Sequence, residues 1–135
     1  ELNRNNRIYP VDEMKREVDR YMEESVKRKR SFGELNHPTT ADVALDKACH
    51  LVTDLRFEGN VVMGKSKILS TPAGLIVQSL INDGCSLGVS SRSLGQLIED
   101  KDGSNTVKDM RLIILKRMYP HYLKMMLKCT LKRKY

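Results

Sequence analysis

Three histidines occur in the chain, His37, His50 and His121, and each is a place to look for acid–base chemistry, because imidazole is the side chain that titrates nearest neutral pH. His37 differs from the others in context. It lies in Gly33-Glu34-Leu35-Asn36-His37-Pro38, where Pro38 biases the histidine backbone toward an extended conformation and Gly33 permits an unusual entry. Such a loop could hold an imidazole in one orientation, which a general base requires. A second segment, Leu87-Gly88-Val89-Ser90-Ser91-Arg92-Ser93-Leu94-Gly95, offers hydroxyls. Serine is a weak nucleophile until a base within roughly 2.6–3.2 Å takes its proton. Strand periodicity places Ser90 and Arg92 on one face and Val89, Ser91 and Ser93 on the other, so at most one of the adjacent serines faces a given histidine. Residue types alone leave the matter open, since a lone histidine is more often a packed or solvated polar group than a catalyst.

The elements that must position these residues are legible in outline. Pro10 suits the first turn of a helix, and Asp12 and Glu13 favour the positive end of its dipole. Val11, Met14, Val18, Tyr21, Met22 and Val26 recur at three- and four-residue steps and define one buried face. The basic run Lys27-Arg28-Lys29-Arg30 reads as a solvated helix end, and 31–40 as a loop. Segments 49–57 and 61–69 flank Glu58-Gly59-Asn60 and predict an antiparallel pair of strands. A helix over 72–82 follows, with Leu75, Ile76, Leu80 and Ile81 as its inner stripe and Gly84 as its stop. The glycine-bracketed segment reads as a strand marked by a bulge or by close approach of another backbone. Segments 96–99 and 106–114 bracket an Asp-Gly hairpin turn.

Composition sets the limits. With 135 residues, 40% of them hydrophobic and 30% charged, the chain has room for one domain with one core. No run approaches the roughly 18 apolar residues of a membrane span, and the first residues lack the layout of a secretory signal. Cys49, Cys85 and Cys129 are odd in number and widely spaced, so they read as free thiols rather than a disulfide framework or a zinc knuckle. The net charge of +7 is unevenly placed. Residues 108–135 carry nine Lys or Arg against Asp109 alone, so the first 107 residues are close to neutral at −1. Any polyanion binding, to nucleic acid above all, rests on 108–135, where no base-reading motif or aromatic platform accompanies the charge. No metal-ligand cluster, phosphate loop or dinucleotide fingerprint is present, so neither a metal nor another cofactor is expected.

Three segments together carry a family resemblance. Arg4-Asn5-Asn6-Arg7-Ile8-Tyr9-Pro10, Gly33 to Pro38, and Gly88 to Gly95, in this order and at these intervals, resemble the prohead core protein proteases of tailed phages over about residues 3 to 113. The resemblance implies an α+β fold like that of the herpesvirus capsid-maturation protease, a small and mainly antiparallel β-barrel with flanking helices. It implies a serine endopeptidase with His37 as general base and Ser90 as nucleophile. Ser91 and Arg92 are then candidates for oxyanion or substrate contact, and the preference of T4-type members for glutamate before the cut suits Arg92. The third member stays open among Glu34, Asn36 and His50. Implied substrates are phage scaffolding proteins, the major capsid protein and the protease itself, by autocleavage or self-association, inside the prohead in the host cytoplasm.

Beyond Ile113 the sequence departs from the family pattern. The expectation is therefore a partial protease core over 1–114, lacking some strands and incomplete at both ends, and a basic Met/Lys-rich tail over 115–135 that is a short helix or disordered. An inactive homologue serving as a non-catalytic capsid-assembly or scaffold-binding protein is the alternative reading.

Overall fold

Pro10 caps a helix whose first residue is Val11, and the helix's first bond runs from the Met14 amide to the Pro10 carbonyl at 3.0 Å. The computed structural model describes residues 7–35, 42–59, 61–85, 87–116 and 125–127, with Ser90, 113–116 and 125–127 described by their backbone. Helix α1 is Val11–Tyr21, extended by a π-helical turn over Met22–Val26. It ends where Lys29 takes a left-handed conformation, φ 55°. The Lys29 amide then reaches the Val26 carbonyl at 2.9 Å and the Arg30 amide the Ser25 carbonyl at 2.8 Å, so the last carbonyls are satisfied.

Two sheets enclose this helix. In the first, β1 (Arg7–Ile8), β6 (Asn105–Lys116) and β5 (Ser90–Glu99) lie in that order, with β1 parallel and β5 antiparallel to β6. In the second the order is β2 (Phe32–Glu34), β3 (Ala48–Glu58), β4 (Val61–Ile68) and β7 (Met125–Leu127), all antiparallel. Met14, Val18, Tyr21 and Val26 of the first helical segment meet Val52, Leu55 and Val62 of one sheet and Val107, Met110 and Leu112 of the other. Each such aliphatic side chain contributes about 1.5–3 kcal/mol when fully buried.

The first sheet is also joined to α1 by polar bonds. β1 spans two residues, Arg7 opposite Asn105 and Ile8 opposite Thr106, and β6 runs on past it. Over that continuation Glu13 Oε1 accepts the Met110 amide at 3.1 Å and Glu17 accepts the Leu112 amide. Two carboxylates thus take backbone donors that a neighbouring strand would otherwise pair. Asp109, φ 51°, and a register shift opposite Leu94 and Gln96 mark the bulge beside them. Gly95 belongs to the same bulge, where a Cβ would lie 3.2 Å from Val107 Cγ1 and 3.4 Å from the Lys108 carbonyl. The close approach expected of this glycine is what it provides.

Helix α2, Pro72–Asn82, covers the other face of the second sheet. Thr71 caps it by accepting the Gly74 amide at 3.1 Å. Its inner face is Ala73, Gly74 and Val77, whereas Leu75, Ile76 and Ile81 of the expected stripe are exposed. Close approach decides the rotation: a Cβ on Gly74 would lie 1.9 Å from the Leu69 carbonyl oxygen, so only glycine fits there.

Three other expectations are corrected. The architecture is α+β with two sheets and two α-helices, and no closed barrel forms among the described residues. The loop expected over 31–40 contains strand β2, too short to show a periodicity of its own. Within 115–135, Leu115 and Lys116 finish β6, and Met125–Leu127 pair with β4 as a strand rather than a helix; the rest of that segment lies outside the described residues. No helix among the described residues is long and apolar enough to cross a membrane.

Candidate active site

The site expected from the sequence depends on two strand ends. β2 pairs with β3 so that Phe32 faces Leu51, Gly33 faces His50 and Glu34 faces Ala48, with the register shifting between Gly33 and Glu34. β5 begins at Ser90, opposite Lys116 at the far end of β6. β2, an edge strand of the second sheet, runs close to β6 and therefore to the ribbon that carries Ser90. His37 and Asn36 follow β2 in the chain and lie outside the described residues, as does His121.

The base of the His37 loop is well defined. The Leu35 amide donates to the Lys47 carbonyl at 3.2 Å. Glu34 is 1% exposed, and its carboxylate accepts the Ala44 amide, joining the two sides of the loop. Its charge also bears on Cys49: burial pushes that thiol up to about 11, and the Glu34 carboxylate adds to the shift. Glu34 thus engages the loop backbone; the imidazole of His37, for which the sequence offers it as an orienter, lies outside the described residues.

His50, the other described candidate orienter, is buried in the second sheet. Its Nδ1 lies 3.1 Å from Ser66 Oγ, and its ring occupies the space above Gly33, where a Cβ would fall 1.9 Å from Nε2. Gly33 was expected to supply backbone freedom, yet it is absent from the left-handed region populated by Gly59, Gly84 and Gly103. Its use is spatial.

On β5, Ser91 is buried at 9% exposure and Arg92 is half-buried, just before a register shift between Arg92 and Ser93. The alternation foreseen for Ser90 to Arg92 precedes that shift, whose extra residue, Ile113, lies on β6. No cluster of three or more His, Cys, Asp or Glu suited to a metal occurs among the described residues. Cys49 and Cys85 are free thiols, the first buried and the second exposed; Cys129 lies outside the described residues.

Glu17, which belongs to no motif, lies three residues from Met14 and four from Tyr21 on the apolar face of α1. It is 5% exposed and receives the Arg20 Nε at 2.8 Å as well as the Leu112 amide. A carboxylate on a helix's inner stripe was the available signal.

Comparison with known proteins gives consistent matches. Residues 1–117 match the family described as prohead core protein serine protease. The prohead core protein protease of Enterobacteria phage T4 is 34% identical over 110 residues, which cover 80% of this chain and 52% of the relative. The chain spans about half the length of that curated relative. The solved structure of the bacteriophage T4 capsid assembly protease, gp21, is similar with a TM-score of 0.79 and 31% identity, over 87% of this chain and 73% of that chain.

Proposed function

Since the chain belongs to the prohead core protein serine protease family, we propose that it forms the part of a capsid-maturation serine endopeptidase that carries the nucleophile and its base. The observation behind this reading is the family match over 1–117, which spans both motif-bearing segments. Ser90 is the nucleophile and His37 the general base. The imidazole takes the Ser90 Oγ proton as the oxygen attacks the scissile carbonyl carbon, then returns that proton to the leaving amine. Water, deprotonated by the same imidazole, hydrolyses the acyl-enzyme. Backbone N–H groups at Ser91 and Arg92 are the proposed oxyanion donors, and the Arg92 guanidinium the contact for an acidic substrate side chain. The burial of Ser91 supports Ser90 as the reacting member of the pair, since a nucleophile must be reached by a peptide. On this reading the two sheets are the portion of a herpesvirus-protease-like barrel carried by this chain. Its substrates are scaffolding proteins and the major capsid protein, met inside the prohead.

A fluorophosphonate probe tests the assignment. Labelling should map to Ser90, vanish in Ser90→Ala, persist in Ser91→Ala and fall by about 10³-fold or more in His37→Ala. Labelling that survives Ser90→Ala and is lost in Ser91→Ala overturns the nucleophile. Binding of scaffold protein without cleavage or labelling overturns the enzymatic reading in favour of an assembly protein.

A further inference from the structure

The run Lys27-Arg28-Lys29-Arg30 follows the π-helical turn that closes the first helical segment, and all four residues are exposed. Basic side chains at a helix end commonly donate to its last carbonyls. Here backbone amides do so instead: Lys27 N–H reaches the Met22 carbonyl at 2.9 Å, Lys29 N–H the Val26 carbonyl at 2.9 Å and Arg30 N–H the Ser25 carbonyl at 2.8 Å. The side chains are left for another use. Lys27 pairs with Glu23, whereas among the described residues no carboxylate reaches Arg28, Lys29 or Arg30. The neighbouring acid Glu24 is engaged with Arg20 and, at 3.8 Å, with Arg111.

Two costs are concentrated in this turn. Adjacent like charges repel, and Lys29 holds φ 55°, a conformation that glycine adopts freely and lysine does not. No ion pair of Arg28, Lys29 or Arg30 among the described residues offsets either cost, and backbone strain of this kind collects where a segment binds something. The turn is also fixed. Beyond it Phe32 N–H donates to the Arg30 carbonyl at 3.0 Å, Val52 N–H donates to the Ser31 carbonyl at 2.9 Å, and Ser31 Oγ lies 2.6 Å from the buried Tyr21 hydroxyl. The cations are thus carried on a backbone held from both sides, and a partner does not have to order it.

We propose that this turn docks an acidic peptide segment, held by ion pairs to Arg28, Lys29 and Arg30. A peptide fits better than a nucleic acid. A nucleic-acid strand carries a phosphate at every nucleotide and would bring some of them toward Glu23 and Glu24, one turn back on the same helix, while a peptide can confine its acids to the length of the run. Residues 22–31 also hold no aromatic side chain on which a base could stack. The segment belongs to a protein substrate, a part of the proposal that rests on the proteolytic reading, and its docking lowers KM without changing kcat.

The test uses the whole chain and a fluorescent hexaglutamate peptide, followed by anisotropy at low salt. Arg28→Glu/Lys29→Glu/Arg30→Glu should weaken binding by about tenfold or more, and added salt should weaken the wild type more steeply than this variant. Lys29→Gly should weaken binding by about two- to fivefold while raising the urea midpoint, opposite movements that a merely structural lysine would not give. Absence of wild-type binding, binding by the triple variant within twofold of wild type, tighter binding of hexathymidylate than of hexaglutamate through the same three residues, or loss only with Lys132→Gln/Arg133→Gln/Lys134→Gln overturns the proposal. Fluorophosphonate labelling separates the two claims. The triple variant should label at the wild-type rate, and a wild type that neither labels nor cleaves removes the protease while hexaglutamate binding still judges the docking surface.

Discussion

The ring of His50 fills the volume that any side chain at position 33 would need, with Nε2 only 1.9 Å from where a Gly33 Cβ would stand. Both residues face each other across the β2–β3 pair, and Ser66 Oγ, 3.1 Å from Nδ1, leaves the imidazole little room to retreat. Gly33→Ala should therefore destabilise the fold by about 1–3 kcal/mol, as overpacking does. Adding His50→Ala should recover part of that loss. Chemical denaturation of the two single variants and the double variant checks this, and strictly additive penalties would refute the steric link.

Glu17 supports a prediction about the joint between α1 and β6. Its carboxylate holds Arg20 and the Leu112 amide, and the Arg20 guanidinium reaches the Leu112 carbonyl at 3.3 Å. Those contacts push the Arg20 pKa up, chiefly through the Glu17 hydrogen bond, so its charge is permanent. Glu17→Ala should cost about 3 kcal/mol, because it leaves a buried amide without its acceptor and takes the buried partner from a cation that keeps only Glu24 and the Leu112 carbonyl. Glu17→Gln should cost less, since its amide oxygen still accepts from Leu112. Urea unfolding midpoints at neutral pH decide it, and equal losses for the two variants would assign the effect to charge alone.

Cys49 gives a pH dependence with a definite sign. Burial raises its thiol from 9.0 to about 11, so the folded protein keeps a proton that the unfolded chain releases. Its contribution to stability is full below about pH 9 and is lost as pH rises through 11. Tyr21, raised chiefly by burial, acts in the same direction above its ordinary value of 10.0. Comparing wild type with Cys49→Ala at pH 8 and pH 10.5 isolates the thiol, and the wild type should lose more stability than the variant over that interval. At neutral pH a maleimide should modify exposed Cys85 and spare Cys49, as read by peptide mass spectrometry.

Lys29 holds a left-handed conformation at φ 55°, at a helix end whose bonding pattern ordinarily favours glycine. Lys29→Gly should raise stability by about 1 kcal/mol, visible as a higher urea midpoint. A lower midpoint would mean that the lysine side chain contributes more than its backbone costs.

Periodic segments were readable from the sequence, and non-periodic ones were not. The stripe Met14, Val18, Tyr21 and Val26, and the two strands around Gly59, announce themselves because each repeats its face several times. β2 has three residues and β1 two, and both are set by partners distant in sequence. The rotation of α2 was misread for a related reason. Hydrophobicity favoured Leu75 and Ile76 inside, whereas the distance of closest approach at Gly74 selected the small face. At the candidate site, the motif around His37 and the serine pair were visible as composition. The bond from Glu34 to Ala44 was not, because it depends on a chain reversal that no local pattern encodes.

The bonds from Glu13 to Met110, from Glu17 to Leu112 and from Arg20 to Leu112 span 97, 95 and 92 residues. On a ribosome, α1 emerges long before the amides its carboxylates will hold exist. Buried Glu17 and half-buried Glu13 must wait in solvent until β6 is made, and the hydrophobic stripe beside them waits too. The native contacts of α1 thus form only once β6 exists: a nascent chain halted before residue 107 should leave α1 open to proteolysis, and release of the next few residues should close it.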